Sequence, residues 1–261
     1  MHALRWRGWQ EPVPVPAPRR VRRGCRNVRS PLGLGAVGFA LLSLAGTAAG
    51  EFSGTVTVVS DYRYRGVSLS DNDPAAQLGV AYDDARGWYA GAFVSTVKSS
   101  TYGTSGVQAI TFAGYAWRLA SGLSLEAGAD YSVVTAEPHY DYPEAYVGFA
   151  FQNLSGRVYY SPRYAGLDSR AIYGELNLTQ PLLENVRMLA HVGVLSSNAK
   201  PPYGYGGPTG SVVDFALGAG VDWQGFNLQL SWVGVNHASP AYQVTGVGHR
   251  TGPVLSISHS F

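Results

Sequence analysis

The sequence predicts an all-β fold, an antiparallel transmembrane β-barrel of about twelve strands, with roughly 10 to 14 compatible with the same pattern. Three observations carry this. Apolar residues alternate with small or polar ones in segments of about ten residues, turn-forming residues separate the segments, and the connections are alternately short and long. Composition agrees, since charged residues make up 14% of the chain while Gly (33) and Tyr (17) are abundant. That balance suits twisted strands and membrane-interface aromatics better than a helical enzyme. At 261 residues, one barrel domain accounts for the length.

Two regions are expected. Residues 1–50 read as a basic extension followed by a secretory signal peptide that is removed. Arg26–Ser30 is basic, Leu32–Ala45 is apolar and rich in Gly and Leu, and Thr47, Ala48, Ala49 and Gly50 are small, which is the signal-peptide order. Cleavage is expected before Gly50 or Glu51. The apolar run falls short of the about 20 residues a membrane helix needs. The stretch ahead of it, with Pro12, Pro14, Pro16 and Pro18 and an Arg-rich tail, is long for a basic region, and Val28 would begin a conventional signal. Cys25 is the only cysteine. It precedes the apolar run instead of following it, which is the wrong order for a lipoprotein, and the mature chain is left without thiol chemistry.

Residues 51–261 are the expected barrel. The predicted strands are 52–65, 75–84, 88–97, 107–118, 123–135, 142–152, 154–165, 170–180, 186–197, 211–223, 226–237 and 250–261. Alternation is clearest late in the chain. Phe226, Leu228, Leu230 and Trp232 share one face, with Asn227, Gln229 and Ser231 on the other, a period of two that only a strand satisfies. Leu255, Ile257 and Phe261 similarly oppose Ser256, Ser258 and Ser260.

Short links at Ala85–Gly87, Leu119–Gly122, Asn153 and Gln224–Gly225 alternate with longer ones. Bacterial barrels place the short turns in the periplasm and the long loops outside. Gly66–Pro74, Lys98–Gly106, Ala136–Asp141, Asn198–Thr209 and Ala238–His249 are therefore expected at the exterior of a Gram-negative outer membrane. Trp88, Trp117, Phe151, Trp223, Phe226 and Phe261 flank the short turns as an inner aromatic girdle. Tyr62, Tyr64, Tyr131, Tyr160, Tyr164 and Trp232 are candidates for the outer one.

Charged residues inside predicted strands mark the lumen, because a charge facing hydrocarbon costs about 2–4 kcal/mol near the midplane. On that ground Asp61, Arg63, Arg65, Asp83, Glu126 and Asp130 are placed on inward faces, together with Arg157, Arg163, Glu175, Asp214 and Asp222. Both signs are present, so the same set serves an open channel or an interior filled by Arg–carboxylate pairs. His191 lies mid-strand and is the one histidine expected to reach the lumen.

Gly54–Val97, read as GTVTVVSDYRYRGVSLSDNDPAAQLGVAYDDARGWYAGAFVSTV, resembles the TorF family of porins, formerly grouped as uncharacterised proteobacterial proteins. The matching positions begin with Ser60, Asp61, Tyr62, Arg65, Gly66 and Ser68, then Pro74, Gln77, Gly87, Tyr89, Ala90 and Gly91. Later positions are similar to the same family: Glu144, Tyr146 and Gly148; Tyr160, Ser161, Pro162 and Tyr164; Tyr173, Glu175, Pro181, His191 and Gly193. The resemblance covers most of residues 52–261 and implies an outer-membrane barrel, while Pro201–Pro208 and the N-terminal extension match nothing in it.

Several other chemistries are weaker. Residues 51–261 hold 11 Lys and Arg against 16 Asp and Glu, about −5, with no basic stripe for nucleic acid. If the barrel conducts, that bias points to mild cation preference. Ser70, Asp71, Asn72 and Asp73 lack the spacing of a calcium loop and read as a turn before Pro74. His139, His237, His249 and His259 form no pair at metal-ligand spacing. His259 and Ser260 are adjacent in a strand, so their side chains point to opposite faces. No cofactor or metal is expected.

The expected function is passage of small solutes through the outer membrane. The expected partners are outer-membrane lipid, the solutes, and the barrel-assembly machinery through the C-terminal strand ending at Phe261. An outer-membrane enzyme acting on lipid or peptide, and a plugged surface-interaction barrel using the aromatic loop 201–208, are the alternatives.

Overall fold

The computed structural model describes residues 50–98, 103–136, 140–166, 169–198, 211–236 and 251–261. The expected signal segment, loop 201–208, His139, His237 and His249 lie outside the described residues. Among the described residues the regular structure is strand, apart from one short 3-10 turn at Tyr164–Gly166. In chain order the strands are β1 (Glu51–Val59), β2 (Arg63–Tyr64), β3 (Val67–Ser68), β4 (Ala75–Asp83), β5 (Trp88–Lys98), β6 (Ser105–Arg118) and β7 (Ser124–Val134). They continue with β8 (Asp141–Phe151), β9 (Leu154–Ser161), β10 (Ala171–Pro181), β11 (Val186–Ser197), β12 (Val212–Trp223), β13 (Phe226–Val235) and β14 (Gly252–Ser260).

Twelve of these close into one antiparallel barrel, each paired with its neighbour in sequence, and β1 seals the ring by pairing with both β4 and β14. At the seal Thr55 lies opposite Ser260 and Val59 opposite Ser256. The strand number is the one expected from the pattern. Strands pair through tight turns at one end; Gln224 (φ 49) and Gly225 (φ 85) between β12 and β13 adopt the two left-handed conformations of a type I′ hairpin turn, whose twist matches that of its strands.

The barrel is inside out relative to a soluble one. Leu217, Leu230, Leu255, Ile172 and Val147 are exposed on the outer wall, while Gln108, Ser132, Asn177 and Asp214 are buried inside. A belt of large apolar side chains circling the barrel far exceeds the apolar patches of soluble monomers and matches a wall in contact with hydrocarbon. All six predicted inner-girdle aromatics are exposed near the short turns. The outer girdle divides: Tyr131, Tyr160 and Trp232 face outward, but Tyr62, Tyr64 and Tyr164 are buried in the interior.

That division has a backbone cause. The first predicted strand, 52–65, ends at Val59. Arg65 (φ 49) and Gly66 (φ 79) then form a left-handed two-residue turn, which reverses the chain into a small β2–β3 hairpin pairing Arg63 with Ser68 and Tyr64 with Val67. The hairpin folds into the lumen, so Asp61, Arg63 and Arg65 belong to an inserted loop and not to the barrel wall. Likewise 154–165 ends as a strand at Ser161. Ala165 takes φ 54 and the Tyr164 amide donates to the Ser169 carbonyl at 2.8 Å, turning Tyr164 inward and leaving Arg163 at the rim.

Candidate functional site

An interior of this size lies between the filled core of an eight-stranded barrel and the channel of a sixteen-stranded one. The sequence resolves this by filling one half. Inward positions of β5–β10 carry Tyr89, Phe93, Phe112, Tyr146, Tyr159 and Tyr173, all buried. Inward positions of β13, β14, β1 and β4 carry no aromatic side chain and are mostly small or polar, including Gln229, Ser231, Ser256, Ser258, Thr55 and Thr57. Glycines make room on the filled side. A Cβ at Gly114, Gly128 or Gly193 would fall on the hydroxyl of Tyr89, Tyr146 or Tyr173, respectively.

The hairpin spans the lumen near the long-loop end. At its base Tyr62 Oη donates to Gln108 Oε1 at 2.6 Å, and its ring lies 5.9 Å from that of Phe93. Asp61 accepts from Ser68 Oγ at 2.6 Å, from Ser70 Oγ at 3.2 Å and from Arg63. At its tip a Gly66 Cβ would meet Val235 and Asp214 on the opposite wall, so both the left-handed φ and the close approach require glycine.

Arg65 anchors the tip. Its two terminal nitrogens donate to the two Glu144 oxygens at 3.1 and 2.5 Å, a bidentate pair with Arg65 2% and Glu144 3% exposed. The guanidinium carbon lies 4.2 Å from the centre of the Tyr173 ring, 5.0 Å from Tyr64, 5.2 Å from Tyr159 and 5.4 Å from Tyr164, within cation–π range. A second pair sits deeper, where Arg157 Nε and Nη2 reach Glu126 at 2.5 and 3.2 Å and Tyr89 Oη donates to Glu126 at 2.9 Å.

The remaining predicted residues are placed as follows. Asp130 faces inward on β7, and Glu175 is buried beside Arg157 in the β9–β10 register. Asp214 lies 2.7 Å from His191 Nε2, whose Nδ1 is 2.6 Å from Asn177 Oδ1. Asp83 pairs with Arg118 at 2.9 Å and Asp222 with Arg187 at 3.1 Å, both at the short-turn end and away from the hairpin. Arg163 is corrected: it is exposed at the opposite rim, 3.6 Å from Asp141, because its strand has already ended. Ser70–Asp73 forms a turn with Asp73 N donating to Ser70 O at 3.0 Å and Asp71 and Asn72 at positive φ. Ser260 faces Thr55 Oγ1 at 3.0 Å, while His259 stacks on Phe226 at 5.2 Å on the outer wall.

Glu144, Arg187 and Asn177 were not among the predicted lumen residues. Alternation alone would have found Glu144 and Asn177, since Ala145 and Val147, like Leu176, occupy the outward positions beside them. Between the hairpin and the β13–β14 wall open space remains, lined on one side by Arg63 and Arg65 and on the other by Gln229, Ser231, Val254 and Ser256.

Residues 44–261 match the family described as "Bacterial protein of unknown function (Gcw_chp)". No curated protein matches the chain. Among solved structures, one described as "KdgM porin" superposes with a TM-score of 0.50 at 11% identity, over 80% of this chain and 99% of that one. Another, described as "Unveiling the Mechanism Behind the in-meso Crystallization of Membrane Proteins", gives 0.51 at 9% identity over 80% and 83%. A third, "NanC porin structure in rhombohedral crystal form.", gives 0.49 at 11% over 80% and 98%. At such identities the likeness is one of fold, a porin-like barrel.

Proposed function

The chain belongs to the bacterial family Gcw_chp, and on that footing we propose that it is an outer-membrane porin of the TorF type that lets small solutes cross. The observation that carries this reading is the half-filled lumen: tyrosines and ion pairs pack β5–β10, whereas the polar wall of β13 and β14 borders open space from Val254 down to Gln229 and Ser256. The short turns face the periplasm, residues 1–50 are an extension and signal removed on export, and the strand ending near Phe261 is read by the assembly machinery. The site is a passage and not a reaction centre. His191 and Asp214 are joined to Asn177 and Tyr173, a set without a nucleophile at hydrogen-bond distance from the imidazole among the bonds described.

A second reading, a plugged structural barrel, is favoured by the inserted hairpin and its buried Arg65–Glu144 pair. Planar-bilayer recording separates the two. The purified protein is expected to give discrete current steps that Arg65→Ala enlarges. Folded protein that stays silent in both forms refutes the porin and leaves the plug.

A further inference from the structure

Resting on the porin reading, we infer that the gap between the hairpin and the β13–β14 wall takes an uncharged, hydroxyl-rich solute. Four features of the gap carry this. First, the inward faces of β13, β14, β1 and β4 carry two charged side chains, Glu51 and Asp83, which lie opposite one another at the short-turn end, where Arg118 holds Asp83 at 2.9 Å. Charged rings steer ions through pores; this wall offers neutral hydroxyls and amides.

Second, the cations beside the gap are already engaged by the chain's own carboxylates. Arg63 is bonded to Asp61, Arg65 bidentately to Glu144, and His191 to Asp214. An anionic solute would have to displace a buried partner, stranding that carboxylate, and a buried pair is costly to break.

Third, the lining alternates in character. Gln229, Ser231 and Ser256 supply both donors and acceptors, and Val233 and Val254 supply apolar surface beside them. A sugar ring, with hydroxyls at its edge and C–H groups on its faces, matches that alternation.

Fourth, Asp214 in the cavity wall is 1% exposed and its Oδ2 accepts no hydrogen bond. A buried carboxylate oxygen left unpaired is unfavourable. The Asp214 carboxylate behind the neutral lining repels a solute carboxylate and leaves an uncharged solute unopposed.

The test compares two solutes of one ring size that differ by a charge. Trace radiolabelled glucose and glucuronate are offered to proteoliposomes of the full-length protein in symmetric salt, with single-channel recording on the same preparation. Glucose uptake is expected to exceed glucuronate uptake about fivefold or more. Ser256→Lys, which adds an unpaired cation to the neutral wall, is expected to reverse the preference. Current steps accompanied by equal or faster glucuronate uptake overturn the solute class and leave the porin standing. Absence of both steps and uptake, from protein shown folded by its heat-modifiable gel mobility, overturns the porin and this inference with it.

Discussion

Arg65→Ala should both loosen the hairpin and widen the passage, and its cost follows from the geometry. The substitution removes two charge-assisted hydrogen bonds, 3.1 and 2.5 Å long, and leaves Glu144 as a carboxylate only 3% exposed. Stranding one member of a buried pair costs about 3–5 kcal/mol. Loss of the cation over Tyr173, 4.2 Å from the ring centre, adds about 0.5–2 kcal/mol. Water entering from the adjacent cavity offsets part of this by hydrating Glu144, so about 3 kcal/mol is the expected net. The hairpin base stays tied through Tyr62 to Gln108 and through Asp61 to Ser68, so the tip moves and the barrel survives. Urea unfolding in lipid vesicles measures the cost, and single-channel steps measure the widening. Arg65→Ala/Glu144→Gln should recover much of the loss, with a coupling energy of about 2 kcal/mol or more across the double-mutant cycle. A single variant costing under about 1 kcal/mol, or losses that simply add, would show that the pair does not anchor the hairpin.

Other perturbations test neighbouring parts of the argument. Gly66→Ala should destabilise the tip by about 1–3 kcal/mol, because φ 79 is strained for alanine and its Cβ would meet Asp214 and Val235; urea midpoints and enlarged current steps check it. Gly193→Ala, whose Cβ would lie against Tyr173 Oη and Asp214 Oδ2, should separate Asp214 from His191, read as a shift of the His191 imidazole ¹⁵N resonances. In protein with Cys25→Ser, cysteine at Thr57 or Ser258 should react with a water-soluble thiosulfonate and block current, while cysteine at Gly148, packed against Arg157 and Glu126, should be inert; the opposite pattern would place the path on the wrong side. In the β4–β5 turn, hydrogen bonds from Arg86 hold the Asp84 carboxyl down at about 2. Its stabilisation is therefore complete above the unfolded value of about 3.9 and is lost as pH falls through about 2, so Asp84→Asn should melt below wild type at pH 7 and match it near pH 2.

The barrel was legible because its signal is repeated. A strand with one lipid-facing and one interior face writes period two into every segment, and short turns need residues such as Gln224–Gly225 that tolerate positive φ. Twelve repetitions average out local exceptions. The lumen residues on regular strands, Glu126, Arg157, Glu175 and Asp214, followed from the same parity.

What was illegible occurs once. The tripeptide Arg63–Tyr64–Arg65 continues the alternation of β1 without a break, so periodicity extends the strand to 65. Nothing in that pattern marks the exit from the barrel wall after Val59 or the reversal at Arg65–Gly66, and a Gly after an Arg is a weak turn signal beside Asn-Gly or Asp-Gly. The deciding energy is tertiary: Glu144, Tyr159 and Tyr173 lie 79 to 108 positions further along the chain, and they make the lumen a better environment for Arg65 than the barrel wall. The same asymmetry separates two uses of tyrosine that periodicity does not distinguish. Tyr62, Tyr64 and Tyr164 carry the same amphipathic side chain as Tyr131 and Tyr160, and each kind satisfies its hydroxyl, one set in water at the rim and the other around a buried guanidinium. This barrel of twelve strands uses tyrosine in both ways: the outer rings sit at the level of the interface, and the inner ones occupy half the lumen.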